Sequence, residues 1–415
     1  MTTVAIIATC DTKLQEALFL RDRIRSNNAV TTILIDVGRS PVSNEAIDIS
    51  QEHLLSKHRG GQDVSQLPRA QVIELMACCA SDTVKELFEQ GAIDGIVAVG
   101  GSGGTALASA IMRQVLPIGF PKLIVSTIAS GDTGPIIGET DITLMYSVVD
   151  VAGINQILRD ILANAGAAIA GAALSFAERK YSEKRAPEQA KKRVAISMFG
   201  VTTPGVDAIR KHLESKYPIE TLVFHATGHG GKAMERLIQN GTIDAVVDLT
   251  TTEICDHLVG GQMSAGEQRL DAAVQAGIPN LVSLGAAELA NFGPLDSIPE
   301  QYKGRLLYEH NSIVTLLRLS PHESEQVGNF ICSKLLKSKR PDMVQVWIPK
   351  GGLSMLSVPG APFADKNADE ALFKAIRKGL EGSGIEVMED ERDVNDQGFA
   401  RDIAEAVATK IGLRG

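Results

Sequence analysis

The chain has 415 residues, of which 44% are hydrophobic and 22% charged, with a net charge of −9. That length exceeds one typical core and points to two domains. The acidic balance, with no basic stripe, argues against nucleic acid as a partner. No run reaches the ~18–20 consecutive apolar residues of a spanning helix, so no membrane partner is expected. The N-terminus enters a strand pattern directly, without a charged n-region. The cysteines, Cys10, Cys78, Cys79, Cys255 and Cys332, form neither a disulfide framework nor a CxxC metal pair. Together these features imply a cytoplasmic protein with reduced thiols.

Taken in order, Val4 to Ala8 reads as a short buried strand, and Leu14 to Ile24 has helical spacing. Thr31 to Val37 is a second strand, rich in β-branched residues. Residues 40–67 form a long polar excursion that should cover something. Pro68 to Gln90 reads as a helix, with Pro68 near its start and Gly91 just past its end. Ile93 to Val99 is the third strand. It runs into Gly100-Gly101-Ser102-Gly103-Gly104-Thr105, and a helix-prone segment, Ala106 to Val115, follows. Leu123 to Thr127 is the fourth strand, Asp141 to Val149 a candidate fifth, and Asn155 to Glu178 a long helix.

The charged run 178–193 contains a proline and reads as linker. After it the pattern restarts. Val194-Ala195-Ile196 echoes Val4-Ala5-Ile6; Gly241 to Val247 echoes Gly91 to Val97; Gly277 to Ser283 echoes Gly119 to Val125. Between the first and second matches the first half is longer by about 40 residues, which includes the polar excursion. Alternating strands and helices imply parallel sheets covered on both faces. The expected fold is therefore α/β, two successive Rossmann-like doubly wound parallel-sheet subdomains: residues 1–180, a linker over 181–193, and 194–415.

Ligands of such sheets sit beyond the carboxyl ends of the strands. Four loops should converge there in the first half. The glycine loop is neither a Walker A motif nor a strict GxGxxG. It is closer to the Gly-Gly-Asp-Gly-Thr loops of several kinases, with Ser102 in place of the acid. Gly100, Gly101, Ser102, Gly103, Gly104 and Thr105 are expected to cradle phosphate, because glycines turn backbone N–H groups toward an anion without obstruction. Cys10, Asp11, Thr12 and Lys13 follow the first strand. Lys13 suits a phosphate; Asp11 suits Mg²⁺, a ribose hydroxyl or a plain N-cap. Cys10 has no adjacent histidine and also reads as a small buried apolar residue. Asp36 and Gly38 end the second strand, where a dinucleotide fold places its ribose acid. Thr9 to Lys13 nonetheless lacks the dinucleotide glycines, which weighs against NAD. Ser130, Gly131 and Asp132 form a further polar loop.

The second half has no copy of the glycine loop. Instead His225, His229 and Lys232 lie in a Gly-rich loop after a strand, and Glu253 stands at the place matching the cradle. Gly228 and Gly230 argue against a helix at His229 and hence against a zinc pair, leaving an anion pocket. Gly351 and Gly352 belong to another candidate anion loop.

Five segments carry a family resemblance: Ala8 to Lys13, Val99 to Thr105, Ser126 to Asp132, His225 to Gly231 and Ile348 to Ser354. With these the chain resembles an uncharacterised bacterial family related to the N-terminal ATP-binding region of the tomato protein that confers resistance to tomato mosaic virus. The resemblance implies two Rossmann-like subdomains, ATP with Mg²⁺ in the first, and a homodimer. It does not carry over viral inhibition, which belongs to the plant protein's own context. The expected function is ATP binding, with turnover left open. Phosphoryl transfer to a small-molecule metabolite between the halves is the favoured chemistry. The alternatives are a metabolite lyase or hydrolase using His225, His229 and Glu253, and a non-catalytic ATP-regulated dimer.

Overall fold

The computed structural model describes residues 1–185 and 191–413, and the chain divides into two compact units, Met1–Glu188 and Gln189–Gly415. Residues 186–190 of the expected linker lie outside the described residues.

In the first unit the elements run β1 (Thr2–Ala8), α1 (Cys10–Arg25), β2 (Val30–Asp36), α2 (Gln51–Arg59), α3 (Arg69–Glu89), β3 (Gly95–Gly100), α4 (Ser102–Val115), β4 (Lys122–Ser126), α5 (Gly134–Ile137), β5 (Thr143–Tyr146) and α6 (Gln156–Arg185). The strands pair in parallel, in the order β2-β1-β3-β4-β5. Parallel pairing needs crossovers, so helices cover both faces. The alternation of side chains along β1 decides which face each residue enters. Ala5 and Ile7 join a core with α3 and α4, whereas Val4, Ile6 and Ala8 join one with α1 and α6. Full burial of each such Val or Ile contributes about 1.5–3 kcal/mol. Within α6, Gln156–Lys180 is long and apolar enough to cross a membrane by composition. Its apolar stripe (Leu158, Leu162, Ala165, Ile169, Ala173) is fully engaged against β1, β3 and α1 in this core.

The second unit continues with β6 (Lys192–Met198), α7 (Thr203–Lys216), β7 (Ile219–His225), α8 (His229–Gln239), β8 (Ala245–Thr250), α9 (Thr252–Val259), α10 (Asp271–Ala276) and β9 (Asn280–Gly285). After β9 come β10 (Leu289–Phe292), β11 (Leu307–Asn311), β12 (Val314–Arg318), α11 (Pro321–Leu335), β13 (Val344–Pro349), α12 (Lys366–Leu380), β14 (Glu386–Asp390) and α13 (Gln397–Lys410). Its main sheet is parallel, in the order β14-β13-β9-β8-β6-β7. Read from β7, its first five strands repeat the first unit's order, and β14 is added beyond β13. Each sequence echo falls on corresponding strands: β6 on β1, β8 on β3, β9 on β4. The extra length of the first half lies between β2 and β3, where it forms α2 and its flanking loops. A separate antiparallel sheet, β10-β12-β11, is inserted after β9 and has no counterpart in the first unit.

Candidate functional site

In the first unit β1 is the switch point of the sheet: β2 lies on one side and β3 on the other, and the loops that leave β1 and β3 separate there. A cavity of about 540 Å³ opens over the strand ends, within the ~300–1,000 Å³ range of small-molecule sites. Thr9, Asp11, Thr12 and Lys13 line it after β1, Val37 and Arg39 after β2, Gly100 to Gly104 after β3, Thr127 after β4 and Asp150 after the fifth strand. Its remaining wall is Arg69, Val72 and Ile73 of α3 and Leu107 of α4.

The glycine segment is more helical than the sequence suggests. α4 begins at Ser102, so Gly103 and Gly104 form its first turn, and the Thr105 N–H closes that turn on the Gly101 carbonyl at 2.8 Å. The N–H groups of Ser102, Gly103 and Gly104 therefore have no carbonyl one turn back within the helix. They open into the cavity with the positive end of the helix dipole behind them. Gly103 lies directly under α3: a Cβ there would stand 3.2 Å from both Arg69 Nη2 and Ile73 Cδ1, so any side chain must push those groups aside.

At the other side Thr12 and Lys13 donate their N–H groups to the Thr9 carbonyl, and Lys13 itself leaves the helical conformation at φ −130°, ψ 22°. Lys13 lines the cavity at this kink. Asp11 Oδ2 accepts the N–H groups of Arg39 (3.0 Å) and Ser40 (3.2 Å), which ties the β2 loop to the β1 loop. Arg39 in turn donates to the Leu67 carbonyl, two residues before Arg69. Among the described residues neither Lys13 nor Arg69 has a side-chain partner. The rim carries three cations (Lys13, Arg39, Arg69) against two carboxylates (Asp11, Asp150) in a chain of net charge −9.

Not every expected contact lies there. Asp36 is fully buried, and its Oδ1 accepts the N–H groups of Cys10 (3.0 Å) and Gly38 (2.8 Å). It is a strut joining the ends of β1 and β2, not an acid facing a ribose, and Gly38 belongs to that strut. Burial and the neighbouring Asp36 carboxylate push the Cys10 thiol far up, so Cys10 is an inert core residue. Thr105 is buried, with its Oγ1 2.7 Å from Ser126 Oγ, and pins α4 to β4. Ser130, Gly131 and Asp132 are exposed and outside the cavity lining. The Asp132 carboxylate accepts the Gly134 N–H at the start of α5. Arg69 and Asp150 are charged lining residues that the sequence did not point to, and the wall residues Val72, Ile73 and Leu107 were likewise unforeseen; the one signal for Arg69 was Pro68 placing it at a helix start after the excursion.

The second-half expectations meet a different arrangement. α8 does begin at His229, with Gly228 before it at φ 87°, so the glycines start the helix rather than prevent it. The N-terminus of α8 is already filled: Glu253 Oε1 accepts the N–H groups of Gly228 (2.7 Å) and Gly231 (3.0 Å). Gly231 must lack a side chain, because a Cβ would lie 2.1 Å from the Glu253 carboxylate. Glu253 is fully buried and held by Arg269 Nε at 2.8 Å, so it is no exposed acid or base. His225, His229 and Lys232 remain exposed, with the His225 ring 5.6 Å from that of Phe199. Among the described residues no group of three potential metal ligands occurs. The Gly351 and Gly352 N–H groups are engaged by the Arg392 and Pro349 carbonyls, so this loop is a turn and not an anion cradle.

Two buried carboxyls in the second unit have a measurable consequence. Burial pushes Asp256 and Glu288 up to about 7. Asp256 accepts three hydrogen bonds from Asn291 and Met263; Glu288 accepts one from Ser354 and leaves Oε2 without a partner. The folded state holds these protons to pH ~7, while the unfolded chain releases them near pH ~4. Their stabilisation is complete below pH ~4 and is lost as pH rises through ~7. In the opposite direction, Glu405 is drawn down to about 2 by Lys216, Tyr217 and His212, and its contribution is lost only in strong acid. Calorimetry should therefore show the second unit melting at a higher temperature at pH 5 than at pH 8, with a shallower slope in Glu288→Gln. A melting temperature that rises across that interval would contradict the assignment.

Fold and site together define an α/β protein of two Rossmann-like units, with an open cationic strand-end crevice in the first. The chain belongs to the uncharacterised protein family UPF0261, whose N-terminal domain matches residues 2–178 and whose C-terminal domain matches residues 191–411. A UPF0261 protein of Clostridium tetani is 40% identical over 403 residues, covering 96% of each chain. One from Mesorhizobium japonicum is 37% identical, covering 97% of this chain and 98% of its own. The ToMV resistance protein Tm-1 of Solanum lycopersicum is 37% identical over 97% of this chain, which spans 55% of the tomato protein. Solved structures align loosely, as with a UDP-N-acetylglucosamine 2-epimerase from Rickettsia bellii at 12% identity and a TM-score of 0.23, covering 99% of this chain and 95% of that one; a likeness at that level carries no argument.

Proposed function

We propose that the first unit binds ATP as its magnesium complex. The carrying observation is the convergence of the glycine-opened N-terminus of α4 with two unpartnered cations, Lys13 and Arg69, on one cavity. Polarised N–H groups and flanking cations are the elements that hold phosphates. The Asp11 carboxylate fits a magnesium role, since only its Oδ2 is engaged by the Arg39 and Ser40 amides and Asp150 lines the same cavity. Mg²⁺ is characteristically held by one or two carboxylates plus substrate phosphates, whose charge it neutralises. Val37, Val72, Ile73 and Leu107 offer an apolar wall to a base. Phosphoryl transfer to a small metabolite is the chemistry such a cradle serves, because positioning and charge neutralisation are what that reaction requires. The dimer belongs to the same proposal, as does a reducing compartment, which the five free cysteines favour.

Calorimetric titration with ATP and MgCl₂ tests it. One site per chain is expected, and Lys13→Ala should weaken binding by ~10- to 100-fold, the range for a lost charge-assisted contact. Unchanged affinity in that variant would remove Lys13 from the site, and no heat with the native chain would end the proposal.

A further inference from the structure

The three rim cations are not equivalent. Lys13 is half-buried on α1, whose apolar side packs with α6 on one face of the sheet. Arg69 is exposed on the first turn of α3, which packs with α4 on the opposite face. The two cations thus reach the cavity from opposite sides of the β1–β3 switch point, Lys13 half-buried and Arg69 exposed. The guanidinium of Arg69 stands over the cradle, with Nη2 3.2 Å and Nε 3.8 Å from the point a Gly103 Cβ would occupy. The chain just ahead of α3 is tethered to the same rim, because Arg39 donates to the Leu67 carbonyl.

One phosphate suffices to occupy the Ser102 to Gly104 N–H groups. An arginine on the rim meets whatever extends beyond that first phosphate, and its planar fork can hold two oxygens at once. The side chains of the apolar wall, Val37, Val72, Ile73 and Leu107, carry no hydrogen-bonding group, whereas the rim cations can read the number of charged phosphates. We propose that Arg69 is the specificity-determining residue of this site and selects nucleoside polyphosphates over monophosphates by holding the outer phosphates. The assignment rests on the nucleotide reading of the cavity.

The test is titration of the native chain, Arg69→Ala and Arg69→Lys with ATP, ADP and AMP, each with MgCl₂. In Arg69→Ala, ATP and ADP affinity should fall by ~10- to 100-fold, the effect of one lost charge-assisted fork, while AMP affinity stays within about threefold. Arg69→Lys, keeping the charge without the fork, should fall between. Arg69 is exposed and unpartnered, so the melting temperature should not move, which separates a binding effect from misfolding. Equal weakening of ATP and AMP, or no weakening of either, overturns the role of Arg69 while native binding keeps the nucleotide reading. A native chain that binds none of the three overturns both.

Discussion

Arg269→Met is expected to destabilise the second unit by about 3–5 kcal/mol, the cost of removing one partner from a buried ion pair. For a unit of this size that is roughly 6–20 °C in melting temperature. Arg269 is 1% exposed; its Nη1 and Nη2 hold Asp248 at 2.5 and 2.6 Å, Nε holds Glu253, and Nη1 also lies 3.4 Å from Glu235. Those carboxylates are themselves fixed. Glu235 accepts the N–H groups of Leu270 and Ala272, and Leu270 sits in a left-handed conformation at φ 74° that such bonds must maintain. Asp248 accepts from Ser197 at 2.6 Å. Without the guanidinium, three buried carboxyls face one another. Arg269→Lys should recover little, since one ammonium cannot reproduce the fork that spans Asp248 and Glu253. Scanning calorimetry of the full chain would read the effect as a lowered second-unit transition with the first-unit transition in place. A shift below about 2 °C would contradict that cost.

Gly103→Val carries the largest expected effect on binding. The added Cβ meets Arg69 and Ile73 at 3.2 Å, and two γ carbons must then be fitted into the cavity beside the first turn. Loss of the amide contacts and displacement of the guanidinium together should weaken ATP by at least ~100-fold. Valine is slightly better than glycine in a helix, so the fold should survive. Titration heats and a melting curve on the same sample decide it: native-like affinity would remove the cradle from the site, whatever Lys13 and Arg69 do.

The parallel sheets were legible because buried strands such as Ile96 to Val99 are continuous apolar runs bounded by glycine, and because the pattern restarts near residue 194. The inserted β10-β12-β11 sheet was not, since its strands are four or five residues long and only partly apolar. At the site, the glycine segment and Lys13 were readable from the order strand, glycines, helix. Arg69 was hidden because an arginine at a helix start has no motif; only the fold brings it over Gly103. The misreadings share a cause. Asp36 and Glu253 are acids at strand ends, where ligand contacts are expected, yet each caps backbone N–H groups of its own chain. Sequence shows the acid but not which amides lie within 3 Å of it.

Glu253 also bears on how the two units can respond to their surroundings. A carboxylate tethered to the chain sits at the α8 N-terminus at an effective concentration that dilute free anions do not reach. It is in addition locked there by Arg269. The second unit is thereby permanently self-liganded at that position, and its occupancy is constant whatever the metabolite level. Among the described residues no tethered carboxylate closes the α4 N-terminus in this way, so the two helix starts differ: one is sealed by the chain itself and the other opens on a cavity.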